Sequence, residues 1–143
     1  MNIKERVNEI ALKYGTRNPL KIIEAMDIIL IRYPLEGVRG FYHYFQRNHI
    51  IYVDERLSEQ DFLFVIAHEL GHLFLHKDSN AIFMDTRTNF VTNKFEMEAD
   101  RFALNLLIQD SDIDEHLDFT TEQFSRLFGY HKNMIELRLK DFK

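Results

Sequence analysis

His68-Glu69-Leu70-Gly71-His72 lies inside an otherwise apolar run, Phe62 to Leu75. On a helix, at about 100° per residue, Asp61, His68, His72 and His76 fall on one narrow stripe, with Glu69 at its edge. Phe64, Ile66, Ala67, Leu70, Gly71, Leu73 and Phe74 take the remaining sides. A helix that is apolar nearly all round is a buried one. Ionisable groups in such a setting are costly unless something pairs with them. Imidazoles one turn apart can converge on one divalent cation, so a metal accounts for the polar stripe.

The spacing divides the labour. His68 and His72 are placed to bind the metal, and Glu69, next to the first, points beside it. Glu69 can then take a proton from an attacking water and pass it to a leaving amine. The chain has no cysteine, so the ligands come from His, Asp or Glu. Zinc suits that donor set, one ion per chain, and the same donors also accept other divalent ions such as Mn2+.

A hydrolytic zinc site needs a third protein ligand and one open position. His76 sits a further turn along the helix, too far along the axis to share a metal with His68, and reads as a C-terminal residue facing the helix dipole. The other candidates lie in Phe95-Glu96-Met97-Glu98-Ala99-Asp100. Helical geometry sends Glu96 and Asp100 to one side and Glu98 to another. Periodicity does not choose between Glu96 and Glu98, because both flank the apolar stripe.

These residues must be positioned by the rest of a 143-residue chain, a length that argues for one domain, 1–143. With 45% hydrophobic residues and 13 Phe it can bury a sizeable core. The net charge of -5 speaks against a nucleic-acid or anionic-membrane binder as a whole. Charges stand at the N-terminus where a signal peptide would need an apolar stretch, and no apolar run is long enough to span a membrane, so a cytoplasmic protein is expected.

Ile3, Val7, Ile10, Ala11 and Tyr14 recur at helical spacing, and Gly15 stops that helix. Asn18-Pro19 opens a second helix. Ile28 to Ile31 reads as a strand. Val38 to Gln46 and His49 to Asp54 read as a hairpin joined around Arg47-Asn48. Ser58 caps the metal helix. Lys77 to Thr92 reads as a long loop with a short strand near Ala81 to Met84, and Asn93 to Ile108 as a second strong helix. Thr120 to Phe128 and His131 to Lys140 form a helix-turn-helix-like pair. Helices, then a small antiparallel sheet, then helices make an α+β fold.

His68-Glu69-Leu70-Gly71-His72 followed by Glu98-Ala99-Asp100-Arg101-Phe102-Ala103 and Leu106-Leu107 resembles the ImmA/IrrE family of metallopeptidases. The likeness extends upstream, through Ser58 to Ala67 and Asn18 to Met26. It implies a zincin-like core with a gluzincin-like site, in which Glu98 is the third ligand and Asp100 supports the ligands from behind. It implies a cytoplasmic endopeptidase that cleaves a helix-turn-helix repressor and so releases its genes. The chain departs from the family pattern at Ile108-Gln109, where relatives commonly carry Met-Pro.

On the hairpin, Tyr42, His43 and Tyr52 are candidates to hold an extended peptide or stabilise an oxyanion, against plain aromatic packing on a sheet. Residues 120–143 hold five Lys or Arg against three Asp or Glu. That is a poor electrostatic footprint for DNA, so this pair is expected to pack on the core or dock the substrate. Two other readings compete with proteolysis: a module that sequesters a repressor without cutting it, and a regulator that contacts DNA through residues 120–143.

Overall fold

The computed structural model describes residues 2–76 and 90–142. The expected strand near residues 81–84 lies outside them. Helix α1 (Ile3–Tyr14) starts where the Asn2 side chain accepts the Glu5 N–H at 3.0 Å. It ends at Gly15, whose φ of 68° is the left-handed conformation a helix C-terminus favours in glycine. Asn18 caps α2 (Pro19–Ala25), with Pro19 in the first turn, where its missing N–H costs nothing.

Three strands follow: β1 (Ile29–Tyr33), β2 (Gly40–Phe45) and β3 (Asn48–Asp54). β2 and β3 form the expected antiparallel hairpin. Its turn is Gln46-Arg47, both at positive φ, one residue earlier than the spacing suggested. The sheet order is β1-β3-β2. β1 therefore lies parallel to β3 rather than antiparallel to a sequence neighbour, and the sheet is mixed. The chain between Tyr33 and Gly40 crosses the end of β3 to reach the far edge. That outcome depends on non-local pairing, which alternation within a strand does not encode.

Ile51 and Val53 of β3 face inward with Gly40 and Tyr42 of β2, and pack under α3 (Glu59–His76). Helix α3 is buried on most sides, as its apolar run requires. It packs along α4 (Phe90–Leu107), which buries Ala99, Phe102, Ala103, Leu104 and Leu106. Each large apolar side chain taken fully out of water contributes roughly 2 kcal/mol, so this pair of helices anchors the core. At Gly71 a Cβ would meet Phe102 Cβ at 3.0 Å and Ala99 Cα at 3.1 Å. The absent side chain lets the two helices approach closely at the level of His68 and His72.

A one-turn helix α5 (Asp110–Asp114), not evident from the periodicity, leads to α6 (Thr121–Phe128) and α7 (Lys132–Lys140). Thr120 and Gln123 form a reciprocal cap on α6. α7 packs on α4 and buries Ile135 and Arg138. The whole is α+β: helices around a small three-stranded sheet.

Candidate metal centre

The facing sides of α3 and α4 bring six ionisable side chains together. His72 Nε2 lies 2.6 Å from Glu96 Oε1, and His68 Nε2 lies 3.2 Å from Glu96 Oε2. The ligand atoms of His68, His72 and Glu96 all fall within 4.8 Å of one another. On its other nitrogen, His68 Nδ1 stands 2.8 Å from Asp100 Oδ1. His72 Nδ1 stands 3.1 Å from His76 Nδ1, and His76 Nε2 stands 2.9 Å from Glu98 Oε1.

The carboxylate that meets both imidazoles is Glu96, where the resemblance implied Glu98 as the third ligand. Glu98 lies over His76, one turn further along α3. The physical reason is helical phase. Glu96 and Asp100 are one turn apart and share a face, whereas Glu98 is rotated away from both. Asp100 at His68 fixes which face of α4 looks onto the histidines, and Glu96 comes with it. The sequence held that signal in the four-residue spacing from Glu96 to Asp100.

The electrostatics follow from this packing. Burial pulls the His68 imidazolium down, but hydrogen bonds to Asp100 and Glu96 and the charge of Glu69 outweigh it and raise its pKa to about 10. Burial pushes Glu96 up, but its bonds to His68 and His72 prevail and hold it at about 2. His72 is lowered, chiefly by burial, with the neighbouring His68 and His76 adding to the effect against Glu96. A cluster that holds one ionised carboxylate against two imidazole nitrogens is a cluster that holds a cation, whether a proton or a metal.

A cleft of about 210 Å3 opens beside the cluster, lined by Arg39, Gly40, Phe64, Val65, His68, Glu69, Glu96 and Asp100. Glu69 is only 4% exposed and reaches that cleft from the same turn of α3 as His68. At the cleft wall, a Cβ on Gly40 would strike Val65 Cγ1 at 2.6 Å and the Tyr52 carbonyl at 2.7 Å. Glycine is needed there for β2 to start this close to α3.

The hairpin candidates are placed elsewhere. The Tyr42 hydroxyl lies 2.6 Å from His49 Nδ1, and burial, with Tyr44 nearby, raises its pKa to about 12. Tyr52 stacks on Phe41 with ring centroids 4.5 Å apart. His43 pairs across from Ile50 and shares the sheet face of Phe41 and Tyr52, opposite to Ile51 and Val53. None of the three lines the cleft. Arg39, which sequence reasoning did not single out, does. His116 stacks on Phe119, and His131 caps α7 by accepting the Asn133 N–H. Both are structural positions.

Comparison with known proteins points to a peptidase family. Residues 23–140 match the model of a peptidase family described as the IrrE N-terminal-like domain. Over 147 aligned residues the chain is 34% identical to "Uncharacterized immunity region protein 2" of Bacillus phage phi105, covering 98% of this chain and 93% of that protein. It is 29% identical over 143 residues to "Metallopeptidase ImmA" of Bacillus subtilis (strain 168), covering 96% of this chain and 83% of that protein.

Proposed function

The chain belongs to the IrrE N-terminal-like peptidase family, and from that premise we propose that it is a zinc-dependent endopeptidase of the cytoplasm whose substrate is a helix-turn-helix repressor. The observation that carries the metallopeptidase reading is the convergence of His68, His72 and Glu96 beside a cleft that also holds Glu69. Two imidazoles and one carboxylate are the donor set of a hydrolytic zinc site. With Asp100 accepting the Nδ1–H of His68, the Nε2 lone pair is left for the metal. The donors therefore fit zinc, with one ion held by His68, His72 and Glu96.

His68, His72 and Glu96 would hold the zinc, which when bound would supply Lewis acidity toward the scissile carbonyl and the attacking water. Glu69 supplies the base. It takes one proton from the water whose oxygen bonds to the carbonyl carbon, and delivers that proton to the amine as the C–N bond breaks. Phe64 and Val65 give the cleft an apolar wall, and Arg39 puts a cation at its mouth. β2 is the sheet edge beside the cleft, and its backbone offers a row of partners to an extended peptide.

The repressor as substrate is supported by the relatives' names. One is an immunity-region protein of a phage and the other a metallopeptidase named ImmA. A protease encoded in an immunity region would have that region's own repressor within reach, which makes such a repressor the proposed substrate. No helix among the described residues is long and apolar enough to cross a membrane.

The test is incubation of the zinc-loaded protein with the repressor encoded beside its gene. Cleavage is expected with the native chain, none with Glu69→Gln, and none after chelation. An intact repressor that co-purifies with the zinc-loaded protein would favour sequestration instead, and cleavage surviving Glu69→Gln would remove Glu69 as the base.

A further inference from the structure

The two imidazoles of the centre are supported in different ways, and only one of them directly. His68 has its own carboxylate, Asp100, at 2.8 Å. The Nδ1 of His72 has a neighbour of another kind. It meets instead His76 Nδ1 at 3.1 Å, and His76 in turn meets Glu98 Oε1 through Nε2 at 2.9 Å. We propose that His76 and Glu98 form a positioning relay that fixes the tautomer and orientation of His72. The proposal rests on the reading of His72 as a metal ligand.

The argument is one of donor accounting. Two ring nitrogens that face each other at 3.1 Å need one N–H and one lone pair between them. If His76 were neutral and donated its Nδ1–H to His72, its bare Nε2 would face a carboxylate that also has only lone pairs. Glu98 removes that arrangement, because it requires an N–H on His76 Nε2. A neutral His76 then has a lone pair at Nδ1, and His72 must bring the hydrogen. An imidazolium His76 would donate from both nitrogens and require the His72 hydrogen on Nε2, where the metal is to bind; so in the metal-bound state His72 carries Nδ1–H and presents the lone pair of Nε2 toward Glu96 and the metal. A ligand histidine whose second nitrogen donates to a fixed acceptor is more basic and better oriented. Here the acceptor is a histidine held by a carboxylate.

The surroundings make the relay rigid. His76 is 6% exposed, and its ring centroid lies 4.4 Å from that of Phe95. Its ring cannot swing into solvent without vacating a packed site. Glu98 comes from α4, the helix that also brings Glu96 and Asp100, so one helix sets the metal carboxylate and both outer carboxylates. Its position at His76 also explains a glutamate at 98 that the metal itself does not need.

The experiment measures zinc affinity by competition with a chromophoric chelator, on the full chain, for the native protein, His76→Ala, His76→Gln, Glu98→Ala and the double variant. His76→Ala and Glu98→Ala should each weaken zinc by about 10- to 100-fold. The double variant should lose little more than His76→Ala, because the two residues act as one unit. His76→Gln, whose side-chain oxygen can accept the His72 N–H, should recover part of the loss.

Nitrogen-15 NMR of the native zinc-loaded protein gives the readout that a merely structural role would not move, and it stands even where an alanine variant does not fold. It should show His72 protonated at Nδ1 and His76 protonated at Nε2. Unchanged affinity in folded His76→Ala, or a spectrum with a proton on His76 Nδ1, whether or not Nε2 also carries one, overturns the relay. His68→Ala separates this from the parent reading. If that variant keeps zinc, the metal centre itself is wrong; if it loses zinc while His76→Ala does not, only the relay fails.

Discussion

Helix α4 carries two polar clusters, one toward α3 and one toward α1 and α7, and they are made of different materials. In the first, Glu96, Glu98 and Asp100 meet three histidines. In the second, farther along the helix, Arg101 grips Asp141 with two bonds of 2.7 and 3.0 Å, and Asn105 adds a third at 2.9 Å. Beside it Arg138, 2% exposed, donates to the Ile108 carbonyl and to Asp110, which also accepts from Lys4. Guanidinium and ammonium groups are permanent cations with no lone pair to offer. They close the carboxylates they meet. A histidine can surrender its proton and present a lone pair, so the first cluster can exchange a proton for a metal and the second cannot. One holds helices together, and the other leaves room for chemistry.

Substitutions should separate the two regions cleanly. Glu96→Ala should produce the largest effect on zinc, a loss of more than about a hundredfold, which exceeds what an outer partner contributes. Urea midpoints of the metal-free protein should move little by comparison. Arg138→Ala should do the reverse. It leaves Asp110 with Lys4 alone and takes the donor from the Ile108 carbonyl, and should cost about 1–3 kcal/mol of stability in urea denaturation, while the folded fraction keeps its zinc affinity. Zinc loss in Arg138→Ala at temperatures where it remains folded would show that the clusters are not independent.

Zinc itself should stabilise only through the first cluster. At about a thousand times its Kd it should add about 4 kcal/mol to unfolding, and a Glu96→Ala chain should show almost none of that gain. Gly71→Ala tests the packing that both clusters rely on. The new methyl presses on Phe102 and on the Ala99 backbone, so the helices must part. A cost of about 1–3 kcal/mol is expected, with weaker zinc binding because Glu96 moves away from the imidazoles.

The smallest effect is the pH dependence of the second cluster. Burial would raise Asp141 and Asp110, but hydrogen bonds from Arg101 and Asn105 to the first, and from Lys4 and Arg138 to the second, hold both below the ordinary carboxyl value. Groups whose pKa is depressed by folding give stability that is complete above the unfolded value, about 3.9. That stability drains as pH falls below it. Thermal unfolding of Asp141→Asn should therefore show a shallower decline than the native chain on acidification below about pH 4. An identical decline would mean that Asp141 is not held low.

Much of this was legible in the chain. His68, Glu69 and His72 announce their shared stripe because helical phase is a local property, and the apolar residues around them force that stripe to be a buried one. Gly15, Asn18 and Ser58 mark helix ends through chemistry confined to a few residues. Apolar periodicity did not separate Glu96 from Glu98, since both border the same apolar face; the Glu96–Asp100 spacing selects one only once Asp100 is known to meet His68, which the crossing of α3 with α4 decides. His76 read as a helix-terminal residue because its partners, His72 and Glu98, meet it from one turn back and from another helix. Tyr42, His43 and Tyr52 attracted notice as strand aromatics, yet strand alternation and the pairing register turn two of them to the face opposite Ile51 and Val53. Non-local contacts decide each of these cases.

The most direct test compares Glu96→Ala with Glu98→Ala for zinc affinity in the same chelator competition. The account predicts the far greater loss for Glu96→Ala and a loss of about 10- to 100-fold for Glu98→Ala. The opposite ranking, with Glu96→Ala still binding zinc tightly and Glu98→Ala unable to, would contradict it.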